Sequence, residues 1–480
     1  MDTYKWLHIY HSGRLGESPS FVLVLSLVLH WIDDTRKPSS MSPTGIGRAI
    51  LPFGATRGRG FRLLRSSRTV RVMRFPLPGD TFPALVVSEE DRVELQKLSE
   101  AFIHEALGEY TDFRCADAGA LAKERWKPIK SREGVASYRD VRTMDPERSR
   151  TAPKERVGSS AMTASAKLHG VLATGTVDGE FNDMAFGLLN ACTEMLKIKS
   201  SYTNDKIADA KVLAAIVEPT PTEPVRGTYL KWSVSTGAPF LLRKIVRPRD
   251  FVYLECMGTL KTEAGERIGY SLMHSLQIPS IRELTELQIV RANASICLLY
   301  RQKSSGKIDL YVKGFVDAMG NIHPCVAVQA TAEALLSFSK VAHCGQMKKL
   351  NWLLNTNKSV VMLDRGRRDC VVCTNAARRP KTCQVCFNSV CARCSVTKKL
   401  SFLSPATRRV SQRSLVFCVR CLLAAFKADA LAIAAEESVR PNPLDVYEAS
   451  TNSTPSSMLV SPSSTNQVGK VPALPAELAS

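Results

Sequence analysis

The sequence predicts an α+β protein that carries a small cysteine-rich finger and has unstructured ends. Three observations predict it. Between residues 211 and 317 the apolar pattern has the period of strands, a long helical segment follows, and eight of the 14 cysteines then fall between Cys370 and Cys421 as four Cys-x-x-Cys pairs. The chain has 480 residues and 44% hydrophobic content, enough for real cores.

The first 72 residues hold 11 Lys/Arg against 4 Asp/Glu and read as a basic, disordered leader. Its apolar run, Phe21 to Ile32, is interrupted by Ser26 and His30 and is too short to span a bilayer. The acidic pair Asp33-Asp34 follows it where a signal peptide would have a small-residue cleavage site. Met73 opens the first stretch that reads as folded, so translation is expected to start there.

Ser88 stands three residues before Asp91 in the manner of a capping box, and Val93, Leu95, Leu98, Phe102, Ile103 and Leu107 continue at helical spacing. Gly134 to Arg139 reads as a short strand, residues 145 to 162 as a loop, and Phe181 to Lys199 as a single second helix. Six β-rich runs come next: Val212 to Val217, Thr228 to Val234, Phe251 to Leu260, Arg267 to Ile278, Ile289 to Arg301 and Ile308 to Asp317. Glycine-containing turns at 262–266 and 303–307 make them an antiparallel meander. One long helix from Val326 to Leu354 closes the series, and Arg249 and Asp250 are expected as surface charges at a strand edge. The single cysteines Cys115, Cys192, Cys256, Cys297, Cys325 and Cys344 read as buried thiols in a reducing compartment.

Trp126, Gly134-Val135-x-x-Tyr138, Arg249-Asp250-Phe251-Val252-Tyr253 and the Val326 to Leu354 helix make residues 88 to 355 resemble a START domain. The resemblance implies a helix-grip fold, a curved antiparallel sheet around a long C-terminal helix, with a pocket for a hydrophobic lipid ligand. An α+β scaffold with a filled core satisfies the same pattern, because sequence does not report gaps.

The finger, residues 364 to 425, reads Cys370-x2-Cys373-x9-Cys383-x2-Cys386-x4-Cys391-x2-Cys394-x23-Cys418-x2-Cys421. Tetrahedral zinc takes four thiolates, and each Cys-x-x-Cys turn supplies two, so four pairs imply two Zn2+. Four residues between Cys386 and Cys391 are too few for two consecutive sites. The segment contains no histidine, unlike RING and PHD fingers. The x4 spacing and Ala377-Arg378-Arg379 before Cys383 resemble the FYVE family and its relatives. That resemblance implies interleaved pairing: Cys370, Cys373, Cys391 and Cys394 on one zinc, and Cys383, Cys386, Cys418 and Cys421 on the other.

The resemblance also implies phosphatidylinositol 3-phosphate as ligand, with Arg378, Arg379 and Lys381 as the headgroup contacts and a cytoplasmic location, peripheral at endosomal or other internal membranes. The stretch Arg378-Arg379-Pro380-Lys381-Thr382-Cys383-Gln384 lacks the two histidines and the final arginine of the family motif, and Leu363-Asp364 is the remnant of its Trp-x-x-Asp. Binding to anionic lipid is therefore expected to be weak. Residues 365 to 421 hold 13 Lys/Arg against 1 Asp/Glu, a surface that suits anionic membranes or a docked protein. Between Cys373 and Cys418 the aromatic residues are Phe387, Phe402 and Phe417, few for base stacking, so nucleic acid is not the expected partner.

Residues 426 to 437 read as a helical extension and 438 to 480 as a disordered tail. No nucleotide-cradling loop, His-Glu-x-x-His or Gly-x-Ser-x-Gly is present, and the expectation is a binding protein, not an enzyme.

Overall fold

The computed structural model describes residues 75–116, 121–141, 169–235, 246–320, 322–356, 369–376, 378–404, 407, 409–440, 444 and 447. The leader, the 145–162 loop and most of the tail lie outside them. No helix among the described residues is long and apolar enough to cross a membrane.

Helix α1, Glu89–Ala116, starts where the capping pattern places it: Ser88 Oγ accepts from the Asp91 N–H at 3.1 Å. Strands β1 (Trp126–Arg132), β2 (Val135–Asp140) and β3 (His169–Asp178) precede helices α2 (Phe181–Leu188) and α3 (Thr193–Thr203). Strands β4 (Ile207–Val217), β5 (Gly227–Ser235), β6 (Arg249–Lys261), β7 (Arg267–Ser275), the short β8 (Val290–Arg291), β9 (Asn293–Ser304) and β10 (Lys307–Asp317) follow. They form one sheet in the order β1-β2-β3-β10-β9-β7-β6-β5-β4, antiparallel along that whole path, with β8 attached parallel to β6. The meander is as expected. β1 and β3 are additions, because Trp126–Arg132 and His169–Asp178 have no apolar alternation strong enough to announce a strand.

The closing segment is two helices, α4 (Pro324–Leu336) and α5 (Val341–Thr356), joined by a 3-10 turn at Ser337–Lys340. Ser337 and Ser339 hydroxyls donate to the carbonyls of Ala334 and Leu336, which tightens the chain there. Helix α4 lies on β1, β2, β3 and β10, while α1 covers the opposite face over β6, β7 and β9. Helix α2 touches β7 and β9 and packs on α5. A side chain at Gly314 would press on Ile296 and Leu335, so the glycine lets α4 approach. Closer still are α2 and α5. A Cβ on Gly345 would sit 1.9 Å from the Asp183 carbonyl oxygen, and one on Gly187 2.1 Å from that of Val341.

The predicted Phe181 to Lys199 helix is broken between α2 and α3. Lys348 Nζ donates to the carbonyls of Phe186 (2.7 Å) and Leu189 (3.1 Å), and Lys231 Nζ to that of Asn190 (2.8 Å) and to its side chain. Two buried ammonium groups thus hold the carbonyls that a continuous helix would have used itself. Lys231 also pairs with Glu255, and burial brings its pKa down to about 8 against the pull of that carboxylate.

Asp250 is a correction. It is fully buried, pairs with Arg291 at 3.0 Å and accepts from Trp232 Nε1 at 2.8 Å, so it anchors β8 to β6. Its neighbour Arg249 donates to the Ala318 carbonyl. Of the single cysteines, Cys256, Cys297 and Cys344 are buried, Cys192 is half-buried, and Cys115 and Cys325 are exposed.

After the finger, α6 (Val419–Lys427) and α7 (Ala430–Val439) return to the body. Ala430, Ile433 and Ala434 of α7 join the main core beside Met184, Phe186 and Leu335. Ser438 and Val439 belong to this helix, and Leu444 and Tyr447 are buried, so packed structure extends past the position at which the tail was expected to begin. Sequence hides this because two isolated apolar residues in a polar stretch have no period.

Ile433→Ala is expected to cost about 2–5 kcal/mol in urea unfolding of the whole chain. A value near zero would mean that α7 does not complete the core. Gly345→Ala is expected to cost about 1–3 kcal/mol or more by the same measurement, since the group in its way is backbone and cannot swing aside.

Candidate metal centres

Each centre is built from two backbone turns. In Cys370-Val371-Val372-Cys373-Thr374-Asn375 the Thr374 N–H donates to the Cys370 carbonyl at 2.8 Å and the Cys370 N–H to the Asn375 carbonyl at 3.0 Å. Cys383-Gln384-Val385-Cys386-Phe387-Asn388 repeats both bonds, Phe387 to Cys383 at 2.9 Å and Cys383 to Asn388 at 3.0 Å. Thr374 and Phe387 have φ of 59° and 58°, the left-handed bend that turns the second thiol back toward the first. The shared pattern Cys-x-Val-Cys-x-Asn is a local repeat in the sequence that marks both turns.

The other two pairs flank a hairpin absent from the sequence reading, β13 (Ser395–Leu403) and β14 (Val410–Cys418), which fills the long spacer. Short strands β11 (Lys381–Thr382) and β12 (Ser389–Val390) pair beside it. Cys391 and Cys394 precede β13. Cys418 ends β14 and caps α6, its Sγ accepting from the Cys421 N–H at 3.3 Å. Because Ser395 pairs with Cys418, the hairpin brings the third and fourth Cys-x-x-Cys pairs to one end.

The thiols of Cys370, Cys373, Cys391 and Cys394 all lie within 4.8 Å of one another, as do those of Cys383, Cys386, Cys418 and Cys421. The pairing is interleaved, and each group could hold a metal ion. A tetrahedral zinc at about 2.3 Å from each sulfur sets sulfurs roughly 3.8 Å apart. The Cys373 to Cys391 separation is 3.8 Å, so the donors fit zinc in kind and spacing.

Both centres are also part of the body. Cys370, Cys383 and Cys418 share one buried cluster with Ile198 and Tyr202 of α3 and with Cys344, Met347 and Leu350 of α5. The Ser401 N–H of β13 donates to Tyr202 Oη at 2.7 Å, the Ser401 carbonyl accepts from Asn351 Nδ2 at 2.9 Å, and Lys349 Nζ donates to the carbonyls of Phe426 (2.7 Å) and Ala428 (3.1 Å). The finger and the sheet domain therefore share one core, although the sequence suggests two separate modules.

Arg378, Arg379 and Lys381 are exposed, on and before β11, immediately upstream of Cys383. Arg393, Lys399, Arg409, Arg413, Arg420 and Lys427 are exposed as well. None of these nine cations has a carboxylate partner among the described residues.

Within the sheet domain, the inner face around Tyr229, Leu298, Ile308, Val312 and Leu335 has no accessible surface, so no water-sized void borders it. Phe251, Met273 and Val316 of that face, and Phe338 of the 3-10 turn, pack against the same core and are only half-buried. On the outer face a cleft of about 20 Å³ lies between α1 and the sheet, lined by Phe102, Glu105, Glu109, Cys297 and Lys313.

No protein-family model and no curated protein matches the chain. Among solved structures it is similar to human StAR-related lipid transfer protein 5, with 12% identity over 53% of this chain and 98% of that one and a TM-score of 0.35. It is also similar to human STARD10, with 14% identity over 48% and 79% of the two chains and a TM-score of 0.31. A STAR-related lipid transfer protein fragment from Xanthomonas axonopodis gives 17% identity, 46% and 98% coverage and a TM-score of 0.29. These similarities concern the fold alone.

Because the finger shares its core with α3 and α5, removing metal is expected to reach beyond it. A chelator, or Cys383→Ser, should lower the melting temperature of the sheet domain, followed by far-ultraviolet circular dichroism. A metal-stripped chain whose sheet domain melts unchanged would separate the two.

Proposed function

We propose that this chain is a non-enzymatic, membrane-associated lipid-binding adaptor. Its finger holds two Zn2+ and presents cations to anionic lipid. Its helix-grip domain takes a hydrophobic lipid ligand at its inner face, against the half-buried Phe251, Met273 and Val316. The observation that carries the reading is the set of exposed finger cations without carboxylate partners among the described residues, on a finger joined to the sheet domain by the shared core. Arg378, Arg379 and Lys381 are the headgroup contacts in this reading. The form of FYVE-type recognition it implies, phosphatidylinositol 3-phosphate at endosomal or other internal membranes, is weak here, because charge supplies what the missing histidines would have supplied by shape.

A second reading, a protein-interaction scaffold whose finger docks a partner, is favoured by the closed inner face around Tyr229 and Leu298.

Co-sedimentation with vesicles separates the two. Each basic residue near an anionic surface contributes about 1 kcal/mol, so the triple variant Arg378→Ala, Arg379→Ala, Lys381→Ala should lose about 3 kcal/mol, on the order of 100-fold, on phosphatidylserine vesicles with or without phosphatidylinositol 3-phosphate. Equal binding to neutral phosphatidylcholine vesicles, or none to anionic ones, would leave the scaffold reading.

A further inference from the structure

We infer that the outward face of α6 is a second membrane-contact surface, in which Leu423 enters the headgroup region of an anionic membrane between Arg420 and Lys427. The inference rests on the membrane reading of the finger and adds to it a surface that the cysteine pattern does not announce.

Arg420, Leu423, Ala424 and Lys427 follow one another at i, i+3, i+4 and i+7 and are all exposed, so they form a single stripe along the helix. Leu423 is 54% exposed, one of four large apolar side chains in that state among the described residues. The opposite face is spent on the body: Leu422 and Ala425 are buried, and the Phe426 ring lies 5.8 Å beneath Lys398 Nζ. An exposed leucine alone means little. Its setting gives it meaning, because cations bracket it on both sides and neither has a carboxylate partner among the described residues.

Arg393 adds to the same field. The Val419 N–H donates to the Cys394 carbonyl at 3.0 Å and Ser395 pairs with Cys418, so Arg393 and Arg420 stand at the same end of the hairpin. Apolar side chains framed by Lys and Arg are the pattern of interfacial helices, whose apolar part enters the acyl boundary while the cations stay with the phosphates.

The helix is also held for the purpose. Cys418 and Cys421 tie its first turn to a metal centre, and Lys349 holds the carbonyls at its last turn. A fixed helix loses no ordering entropy on contact. An anionic membrane is the occupant this charge pattern fits, since an acidic protein would gain from Arg420 and Lys427 without needing Leu423.

The test uses the full metal-loaded chain and phosphatidylserine vesicles. Losing the burial of one leucine should weaken binding of Leu423→Asp roughly tenfold or more, at unchanged melting temperature and metal count. In a second variant, Leu423→Trp, brominated lipids should quench tryptophan emission beyond the level seen in the parent. Leu423→Asp binding within twofold of the parent, or no added quenching in Leu423→Trp, overturns the inference. If the Arg378, Arg379, Lys381 variant still loses binding in that case, the membrane reading stands without α6. A parent chain that binds no anionic vesicle overturns both.

Discussion

The structure depends on the seating of the finger's hairpin against helices α3 and α5. Ser401 lies in the middle of β13 with no accessible surface, where an unpaired backbone group would cost on the order of 1–3 kcal/mol. Its N–H and carbonyl are satisfied from two different helices, by Tyr202 and Asn351, and its hydroxyl lies 2.7 Å from that of Ser201. Burial pushes the Tyr202 hydroxyl far above the ordinary phenol range, so it accepts from Ser401 as a neutral group. If the metal centres hold the hairpin, this contact transmits their order to α3 and α5, and α5 transmits it to α2 through the Gly187 and Gly345 crossing.

The break between α2 and α3 follows directly on that crossing. Lys348 and Lys231 reach carbonyls at the break from α5 and β5, and Lys349 pairs with Asp183 at 2.6 Å beside it. Isolated buried ammonium groups would be costly. Here each one has several oxygens, and the cost is offset by carbonyls that would otherwise be orphans. Glu255, which burial alone would push up, is held below the usual carboxylate range by Lys231 and Lys199. These charges are saturated by the fold, which argues that they serve structure before any chemistry.

What was legible in the sequence was local. The strands of the meander are β-rich apolar runs set off by glycine turns, the Ser88 cap acts within three residues, and the cysteine turns close within six. What was not legible depends on distant partners. Leu188, Leu189, Met195 and Leu196 keep helical spacing across residues 190–194, and only lysines from α5 and β5 show that the helix stops. Asp250 looked like an edge charge because Arg291 and Trp232, which bury it, lie 41 and 18 residues away. The hairpin was missed for another reason. On one face of β13 a cation, Lys398, stands between Val396 and the pair Leu400 and Phe402, and β14 carries the polar run Ser411 to Ser414, so neither strand has a clean apolar period.

The same residue types do different work in the two halves. In the sheet domain cations are matched: Arg114 and Arg301 share Glu266, Arg301 also meets Asp309, Lys313 meets Glu109 and Arg291 meets Asp250. Such pairs cancel at a distance and leave little field outside. The finger has 13 cations and one carboxylate between residues 365 and 421, so its field has no internal sink. Exposed charges interact over about 8–10 Å at physiological salt, which makes a cluster of unpaired cations act together where paired ones act alone. By charge count, an anion approaching the described residues meets stronger attraction at the finger than at the sheet domain. Because that attraction is screened, its salt dependence belongs to the finger, whereas the pair that the buried Asp250 makes with Arg291 is screened far less.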